Sequence, residues 1–109
     1  MGSPLAKTKW DSDAHGPLCE SAIRALFQPP ENYRISVQVL APGAKTGGAG
    51  RAGLCYVLSG SVAYRFGPEA ISLAAGDLAS LPEGTYSIEV LENGATLVRV
   101  WDLGDIVGR

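Results

Sequence analysis

The sequence predicts an all-β protein, built as a sandwich or barrel of short strands. Short apolar runs recur along the chain, and Gly, Pro, Asn or Asp interrupts them roughly every six to ten residues. Within the runs the apolar positions alternate with a period of two, whereas no segment shows the 3.6-residue period of a long helix. This combination is typical of antiparallel sandwiches and barrels.

Composition limits the classes of protein that this chain can represent. It has 109 residues, 46% of them hydrophobic and 18% charged, which suits one ordered domain rather than a disordered chain. The formal net charge of −2 lacks the basic excess typical of nucleic-acid binding. No apolar run reaches the length of a membrane helix, and the first residues lack a signal-peptide pattern. We therefore expect a cytoplasmic protein without nucleic-acid or membrane partners.

The N-terminal part of the chain predicts little regular structure. Residues 1–16 are polar and rich in small side chains, which predicts an arm anchored by Trp10, with one short strand near residues 7–10. Residues 17–109 are expected to form the single barrel domain. The apolar segment 21–27 fits either a short helix or a strand, because Pro29-Pro30 limits its length.

Residues 33–40 give the clearest strand pattern. Apolar side chains alternate with other residues there, so the strand has one apolar face. The opposite face carries Arg34, Ser36 and Gln38, which form either an outer surface or the polar wall of a barrel. The glycine-rich residues 43–53 predict a loop.

The remaining chain predicts a series of short strands joined by turns. We expect strands at residues 54–58, 61–66, 70–74, 78–81, 85–92 and 95–101. Ser59-Gly60 predicts a turn, and Asn93-Gly94 is the strongest hairpin signal in the chain. Residues 95–101 should therefore pair back onto residues 85–92.

The turn residues between Pro42 and Trp101 resemble the framework of a single-domain cupin. Gly76, Pro82 and Gly84 fit the family's second motif, G-x5-PxG-x2-H-x3-N, and Gly60 fits the closing glycine of its first motif. The resemblance implies a cupin-type double-stranded β-helix, a jelly-roll barrel of about 8–10 short strands.

The metal ligands of that family are absent from the matching positions. Gly53 stands where the family has glutamate, and the last histidine falls on Ser87. The two remaining histidines fall on Gly47 and Ala49 or, with a longer spacer, on Thr46 and Gly48. None of these side chains binds a transition metal, so we expect neither a metal nor another cofactor.

The same framework indicates which side chains face the interior. Over residues 85–91 the interior takes either the apolar set with Tyr86 or the set with Ser87, and the apolar set is favoured. If Gly53 points inward, Cys55 and Val57 do too. The candidate ligand-binding residues are Tyr86, Cys55, Gln38, Val57, Ile88 and Ser87. Arg65 and Arg99 are further candidates for an anionic ligand.

Two other features could carry chemistry. Cys19 and Cys55 are the only cysteines, and we expect free thiols rather than a disulfide. Cys55 is either a buried, inert thiol or a nucleophile that needs a base, for which His15 is the only histidine. Asp11, Asp13 and His15 form either a solvated segment or, on a strand, one side suited to a cation.

Two main hypotheses of function follow. The first is a metal-independent cupin that binds a small organic molecule in its barrel, as an isomerase- or cyclase-like accessory enzyme or as a ligand sensor. The second is a non-catalytic structural module with a filled barrel. We expect a homodimer, with the N-terminal segment up to Phe27 as the natural donor of an exchanged strand. A metal site made by Cys55, His15 and an acid is the third and weakest hypothesis. Whether the protein is an enzyme stays open, and no residue is assigned as catalytic.

Overall fold

The computed structural model describes residues 6–50, 53–81 and 84–102. The elements in chain order are β1 (Ala6–Lys9), α1 (Ser12–His15), α2 (Glu20–Leu26), a 3-10 turn (Pro30–Asn32), β2 (Tyr33–Leu40), β3 (Lys45–Gly50), β4 (Gly53–Phe66), β5 (Glu69–Ala74), β6 (Asp77–Leu81) and β7 (Gly84–Asp102). The all-β prediction is confirmed, and the segment whose type was left open, 21–27, is mostly helix. The helices in this part of the chain are all too short to span a membrane.

Two long strands organise the sheet. The strand order is β1-β6-β4-β7-β2, with every pair antiparallel. In addition, β5 pairs with the C-terminal part of β4, and β3 pairs with the N-terminal part of β7. The first wall comprises β1, β6, β2 and the halves of β4 and β7 that pair with them. The second wall comprises β5, β3 and the remaining halves of β4 and β7. Side chains of the two walls pack against each other in a jelly-roll-like arrangement.

The predicted turn at Ser59-Gly60 and the predicted hairpin at Asn93-Gly94 are wrong. β4 and β7 run through these positions as strands, and residues 95–101 pair with β2 and β4 instead of folding back. Gly60 and Gly94 have φ of 76° and 73°, and a Cβ on Gly60 would lie 1.8 Å from the carbonyl oxygen of Gly94. Positive φ suits a bulge as well as a hairpin turn, and here it bends each strand from one wall into the other.

The predicted loop over residues 43–53 is also wrong in part, because β3 forms within it and pairs with the start of β7. The backbones approach closely there: a Cβ on Gly47 would lie 2.5 Å from the carbonyl oxygen of Tyr86. The short strand expected in the N-terminal arm is present as β1, which pairs with β6. Pro82, part of the motif match, lies outside the described residues.

Apolar side chains form two clusters on opposite faces of the first wall. The interior cluster lies between the walls and comprises buried Cys55, Val57, Val62, Tyr64, Leu73, Ala79, Leu81, Ile88, Val90, Ala95 and Leu97. The outer cluster lies beneath the N-terminal segment and joins buried Ile23, Tyr56, Val98 and Val100 to half-buried side chains such as Trp10, Phe27 and Tyr33.

The apolar face of β2 points away from the interior. Tyr33 and Ile35 pack into the outer cluster, whereas Val37 and Val39 on the same face are 41% and 79% exposed. Leu40, on the opposite face, packs against the interior cluster. The alternation of the strand then places Ser36 and Gln38 on the interior side, so the polar face of β2 is the wall of the barrel rather than its outside.

Candidate functional site

A buried arginine crosses the interior from one wall to the other. Arg99 on β7 lies opposite Ser36 of β2 and Cys55 of β4 in the first wall, and it is only 7% exposed. Its Nη1 donates a hydrogen bond of 2.9 Å to the hydroxyl of Tyr86 in the second wall. This bond fixes the guanidinium between the two walls.

Aromatic rings surround the charged group. The guanidinium carbon of Arg99 lies 5.0 Å from the ring centroid of Tyr86 and 4.9 Å from that of Trp101. The rings of Tyr64, Phe66 and Tyr86 form a mutual group with centroid separations of 5.8, 5.9 and 6.0 Å. Rings at these distances attract a cation through their quadrupoles and offer flat apolar surface beside it.

Buried polar atoms without partners mark the same region. Within the described residues they are Gln38 Oε1, Tyr64 Oη and Arg99 Nε, and all three belong to side chains directed between the walls. Proteins satisfy the great majority of buried polar atoms, so each exception needs an explanation. The three exceptions therefore share one interior, with Gln38 and Arg99 in the first wall and Tyr64 in the second.

The interior thiol and phenol are uncharged at neutral pH. Burial raises the pKa of Cys55 to about 11, and Tyr64 and Arg99, which act in the opposite direction, do not offset it. Burial also raises the pKa of Tyr64, whose hydroxyl lies near the thiol without forming a regular hydrogen bond to it. The thiol is therefore a poor nucleophile as it stands.

The two buried charged groups among the described residues differ in their partners. Asp77 is 4% exposed, and its carboxylate accepts hydrogen bonds from the Ala74 amide and from Lys9 Nζ at 2.9 and 3.2 Å. Burial opposes ionisation, but these two bonds and the Lys9 charge lower the pKa of Asp77. Arg99 has no salt bridge within the described part of the chain, so its positive charge stands unneutralised between the walls.

The structure brings most of the predicted site residues together. Cys55, Val57 and Ile88 are buried in the interior cluster, half-buried Tyr86 packs against it, and Gln38 lies on the wall beside it. Tyr86 rather than Ser87 faces inward, as favoured from the alternation, and Ser87 is exposed on the outer face. The assignment of Ser87 to the interior site is therefore corrected.

Arg99 and two of its neighbours matter more in the structure than in the sequence pattern. In the sequence Arg99 ranks with Arg65, which is exposed in the structure, and the predicted site includes neither Tyr64 nor Trp101. A signal was present in the strand pattern: Ala95, Leu97 and Trp101 share the interior face of β7, and Arg99 lies in that otherwise apolar series. A charged residue on a buried face is more informative than one on an exposed strand.

The donor set does not fit the metal that the fold family implies. A Cβ on Gly53 would lie 2.6 Å from the Val100 carbonyl oxygen and 3.1 Å from Trp101 Cδ1, so the indole fills the space beside that position. The interior next to this position holds the guanidinium of Arg99 and the neutral thiol of Cys55, and a cation beside the site opposes a second cation. The described residues contain no group of three or more His, Cys, Asp or Glu able to hold an ion.

The acidic N-terminal run has a structural role. Asp11 caps α1, and its side chain accepts from the backbone amides of Asp13 and Ala14 at 3.1 and 3.2 Å. The run is thus a helical turn rather than a strand, and its side chains do not share a strand face. His15 lies 5.2 Å from the ring of Trp10, on the outer side of the first wall. It is therefore not placed to serve Cys55 as a base or as a fellow metal ligand.

Comparisons with known proteins identify the fold. No family model and no curated protein matches the sequence of this chain. A cupin superfamily protein from Desulfitobacterium hafniense superposes with a TM-score of 0.60 at 13% identity, over 90% of this chain and 76% of that one. A cupin-2 domain protein from Shewanella frigidimarina gives a TM-score of 0.55 at 13% identity, over 84% of this chain and 99% of that one.

An enzyme is also among the similar structures. Salicylate 1,2-dioxygenase from Pseudoaminobacter salicylatoxidans, in adducts with gentisate, gives a TM-score of 0.60 at 17% identity. The match covers 98% of this chain but 28% of the dioxygenase. At these identities the likeness shows a shared fold, of the cupin type, and carries no activity across.

Proposed function

We propose that this cupin-fold chain binds a small organic molecule between its two walls, at the groups around Arg99 and without a metal. The observation that supports the proposal most is the buried, unneutralised guanidinium beside two further unpartnered polar atoms. A ligand that supplied partners to these atoms would be held by directed bonds as well as by apolar contact.

The energetics of burial support a binding role. An ionised group taken out of water without a partner is costly. The side-chain hydrogen bond and two ring contacts that Arg99 makes with the described residues offset this cost only in part. A purely structural interior would place an apolar side chain at position 99, because replacing buried ions by well-packed apolar groups is often stabilising. The retained arginine is therefore more readily understood as a binding group.

The distribution of burial suggests the route of entry. Phe66, Tyr86 and Trp101 are half-buried, whereas Val62, Leu73 and Val90 at the other end of the second wall are buried. A ligand would therefore reach Arg99 past the three aromatic rings, which line the more open end.

Between an accessory enzyme and a ligand sensor, the interior favours the sensor. A thiol with a pKa of about 11 is not a nucleophile at neutral pH, and the described interior offers no histidine as a general base. Binding and positioning are what the remaining groups do well. Two free thiols, Cys19 and Cys55, also suit the cytoplasmic location that we propose.

Native mass spectrometry of gently purified protein tests the binding proposal. We expect the wild-type chain to retain a small molecule, and the Arg99→Gln variant to lose it. Arg65→Gln, which changes an exposed arginine on β4, is the matched control and should retain the ligand. Apo masses throughout, together with no cell-extract fraction that changes the spectrum of the interior residues, would contradict the proposal.

A second proposal concerns a homodimer, and the exposed side of β2 favours it. β2 ends the strand order, so one of its backbone edges is unpaired within the described sheet, and it exposes Val37 and Val39. An apolar edge strand of this kind pairs readily with a second copy. β1 lies on β6 of its own chain, so this edge is a better candidate than exchange of the N-terminal segment.

Sedimentation analysis tests the dimer. We expect the wild-type protein to sediment as a dimer and Val39→Lys to shift it toward monomer. Leu26→Lys, which places the same charge on the exposed side of α2, should leave the assembly unchanged. A wild-type monomer at high concentration would exclude this interface.

A further inference from the structure

We infer that the group recognised at Arg99 is a carboxylate, carried on a flat apolar body that lies against the rings of Trp101, Tyr86 and Phe66. The inference rests on the proposed binding function and adds the chemical class of the ligand. It follows from the charge of the interior, from the free donors of the guanidinium and from the rings around it.

Charge selects an anion. An arginine stays protonated in proteins, and the described residues place no carboxylate against Arg99. Asp77, the other buried ion, is already paired with Lys9. A ligand with one negative charge would neutralise the interior, whereas a neutral ligand would leave the cation buried and a dianion would replace one uncompensated charge by another.

Donor geometry selects a planar acceptor. Nη1 of Arg99 is engaged by the Tyr86 hydroxyl, which orients the guanidinium, while Nε has no partner in the described structure. The N–H donors of a guanidinium edge are parallel and match the two oxygens of a carboxylate. The unpartnered hydroxyl of Tyr64 adds a further donor from the second wall.

The rings select the body of the ligand. Trp101 and Tyr86 flank the guanidinium at 4.9 and 5.0 Å, and Phe66 lies 6.0 Å from the Tyr86 ring. Half-buried rings of this kind stack on flat apolar groups. An acid held at Arg99 would therefore extend its body between these rings, toward the more open end of the interior.

Titration with a matched pair of probes tests the inference. Benzoate and benzamide have nearly the same shape but differ in charge, and phenyl phosphate adds a dianionic arm. The readout is the indole N–H signal of Trp101 in nitrogen-edited NMR spectra, with Trp10 in the outer cluster as internal reference and Trp10→Phe to assign it. We expect benzoate to shift the Trp101 signal in a saturable manner, and benzamide and phenyl phosphate to bind at least about tenfold more weakly.

Variants assign the charge effect to Arg99. Arg99→Gln should weaken benzoate at least about tenfold and leave benzamide unchanged, because only the charge-assisted bonds are lost. Arg99→Lys, which keeps the charge without the planar edge, should give an intermediate affinity and stands in if Arg99→Gln does not fold. Arg65→Gln should behave as the wild type.

The outcomes separate this inference from the binding proposal. Equal binding of benzoate and benzamide, an unaffected Arg99→Gln, or a preference for phenyl phosphate would overturn the carboxylate while leaving an interior binding site. A molecule retained in native mass spectrometry that lacks an acid group would do the same. If no probe moves Trp101 and no molecule is retained, the binding proposal itself fails.

Discussion

The interior cluster and the outer cluster share the strands β4 and β7, yet they differ in polar content. The outer cluster is closed by apolar contacts and edge-to-face rings, with Trp10 and Phe27 lying 5.8 and 6.4 Å from Tyr56. The three unpartnered buried polar atoms of the described chain all belong to the interior. One face of the first wall is thus built for stability, and the other retains groups that stability alone does not require.

The bends that create the interior should be the most sensitive positions. Gly60→Ala would bring a Cβ within 1.8 Å of the Gly94 carbonyl oxygen at positive φ, so we expect loss of folding or of more than about 4 kcal/mol. Gly67→Ala has a similar φ of 57° but nothing within 4 Å, and should cost only about 1–2 kcal/mol. Urea denaturation measures the free energy of unfolding of both variants. Similar losses of stability would show that the close approach of β4 and β7 at Gly60 is not what makes this position sensitive.

The outer cluster should lose stability when it is truncated, without loss of binding. Ile23 is fully buried beneath the N-terminal segment, so Ile23→Ala should cost about 2–5 kcal/mol. Leu26→Ala, on the same helix but 44% exposed, should cost well under half as much. Benzoate affinity of the folded protein should stay as in the wild type. A changed affinity would mean that the two clusters are coupled.

The two cysteines should differ in the reactivity of their thiols. Cys19 is exposed, and hydrogen bonds from Ser21 and Ala22 lower the pKa of its thiol, whereas burial raises that of Cys55 to about 11. Iodoacetamide at neutral pH should therefore modify Cys19 more than about a hundredfold faster. Peptide mapping of the labelled protein gives both rates, with labelling in denaturant as the control. Comparable rates in the native protein would show that the interior thiol is accessible and ionised.

Tyr64→Phe should increase the stability of the fold and weaken ligand binding. The change removes a buried hydroxyl that has no hydrogen-bond partner among the described residues, so we expect the free energy of unfolding to rise by about 1 kcal/mol. Affinity for the retained molecule should fall, because one donor is lost. Tyr56→Phe, in the outer cluster, should leave that affinity unchanged. A destabilised Tyr64→Phe would indicate that the hydroxyl has a partner within the folded protein.

The paired charge at Asp77 predicts a modest effect on stability, which diminishes in acid. Since folding lowers the pKa of this carboxyl, its contribution is present above the unfolded value near about 3.9 and is lost as the pH falls through the lower folded value. Asp77→Asn should cost about 1–2 kcal/mol at neutral pH and flatten the acid limb of the stability curve. An unchanged acid limb would mean that other carboxyls govern it.

The turn residues in the sequence correctly marked where the backbone bends. They did not predict that the strand continues through each bend. Asn93-Gly94 and Ser59-Gly60 do mark places where the backbone adopts positive φ. A local signal cannot distinguish a hairpin from a bulge, because both use the same conformation of glycine. The outcome depended on which strands lay alongside, since β2 and β6 pair with the first-wall halves of β7 and β4.

The candidate site was predictable in part for a related reason. Alternation favoured Tyr86 on the inner face, and Cys55 as well if Gly53 pointed inward, because side chains on a strand point to opposite faces in turn. The same rule applied to β2 could not say which of its faces was inner. The N-terminal segment packs against the apolar face of β2, where the ring centroids of Phe27 and Tyr33 lie 5.2 Å apart.

By itself the sequence determined the strand-rich fold, favoured the interior register of Tyr86 and showed which side chains occupy the positions that match the cupin metal ligands, because these depend on local alternation and on which side chains are present. Only the tertiary structure decided that β4 and β7 bend rather than turn back, and that Arg99 lies among Tyr86 and Trp101 without a salt bridge in the described part of the chain. Those outcomes depend on which distant segments meet, and a charge becomes a binding group only when the partners around it are known.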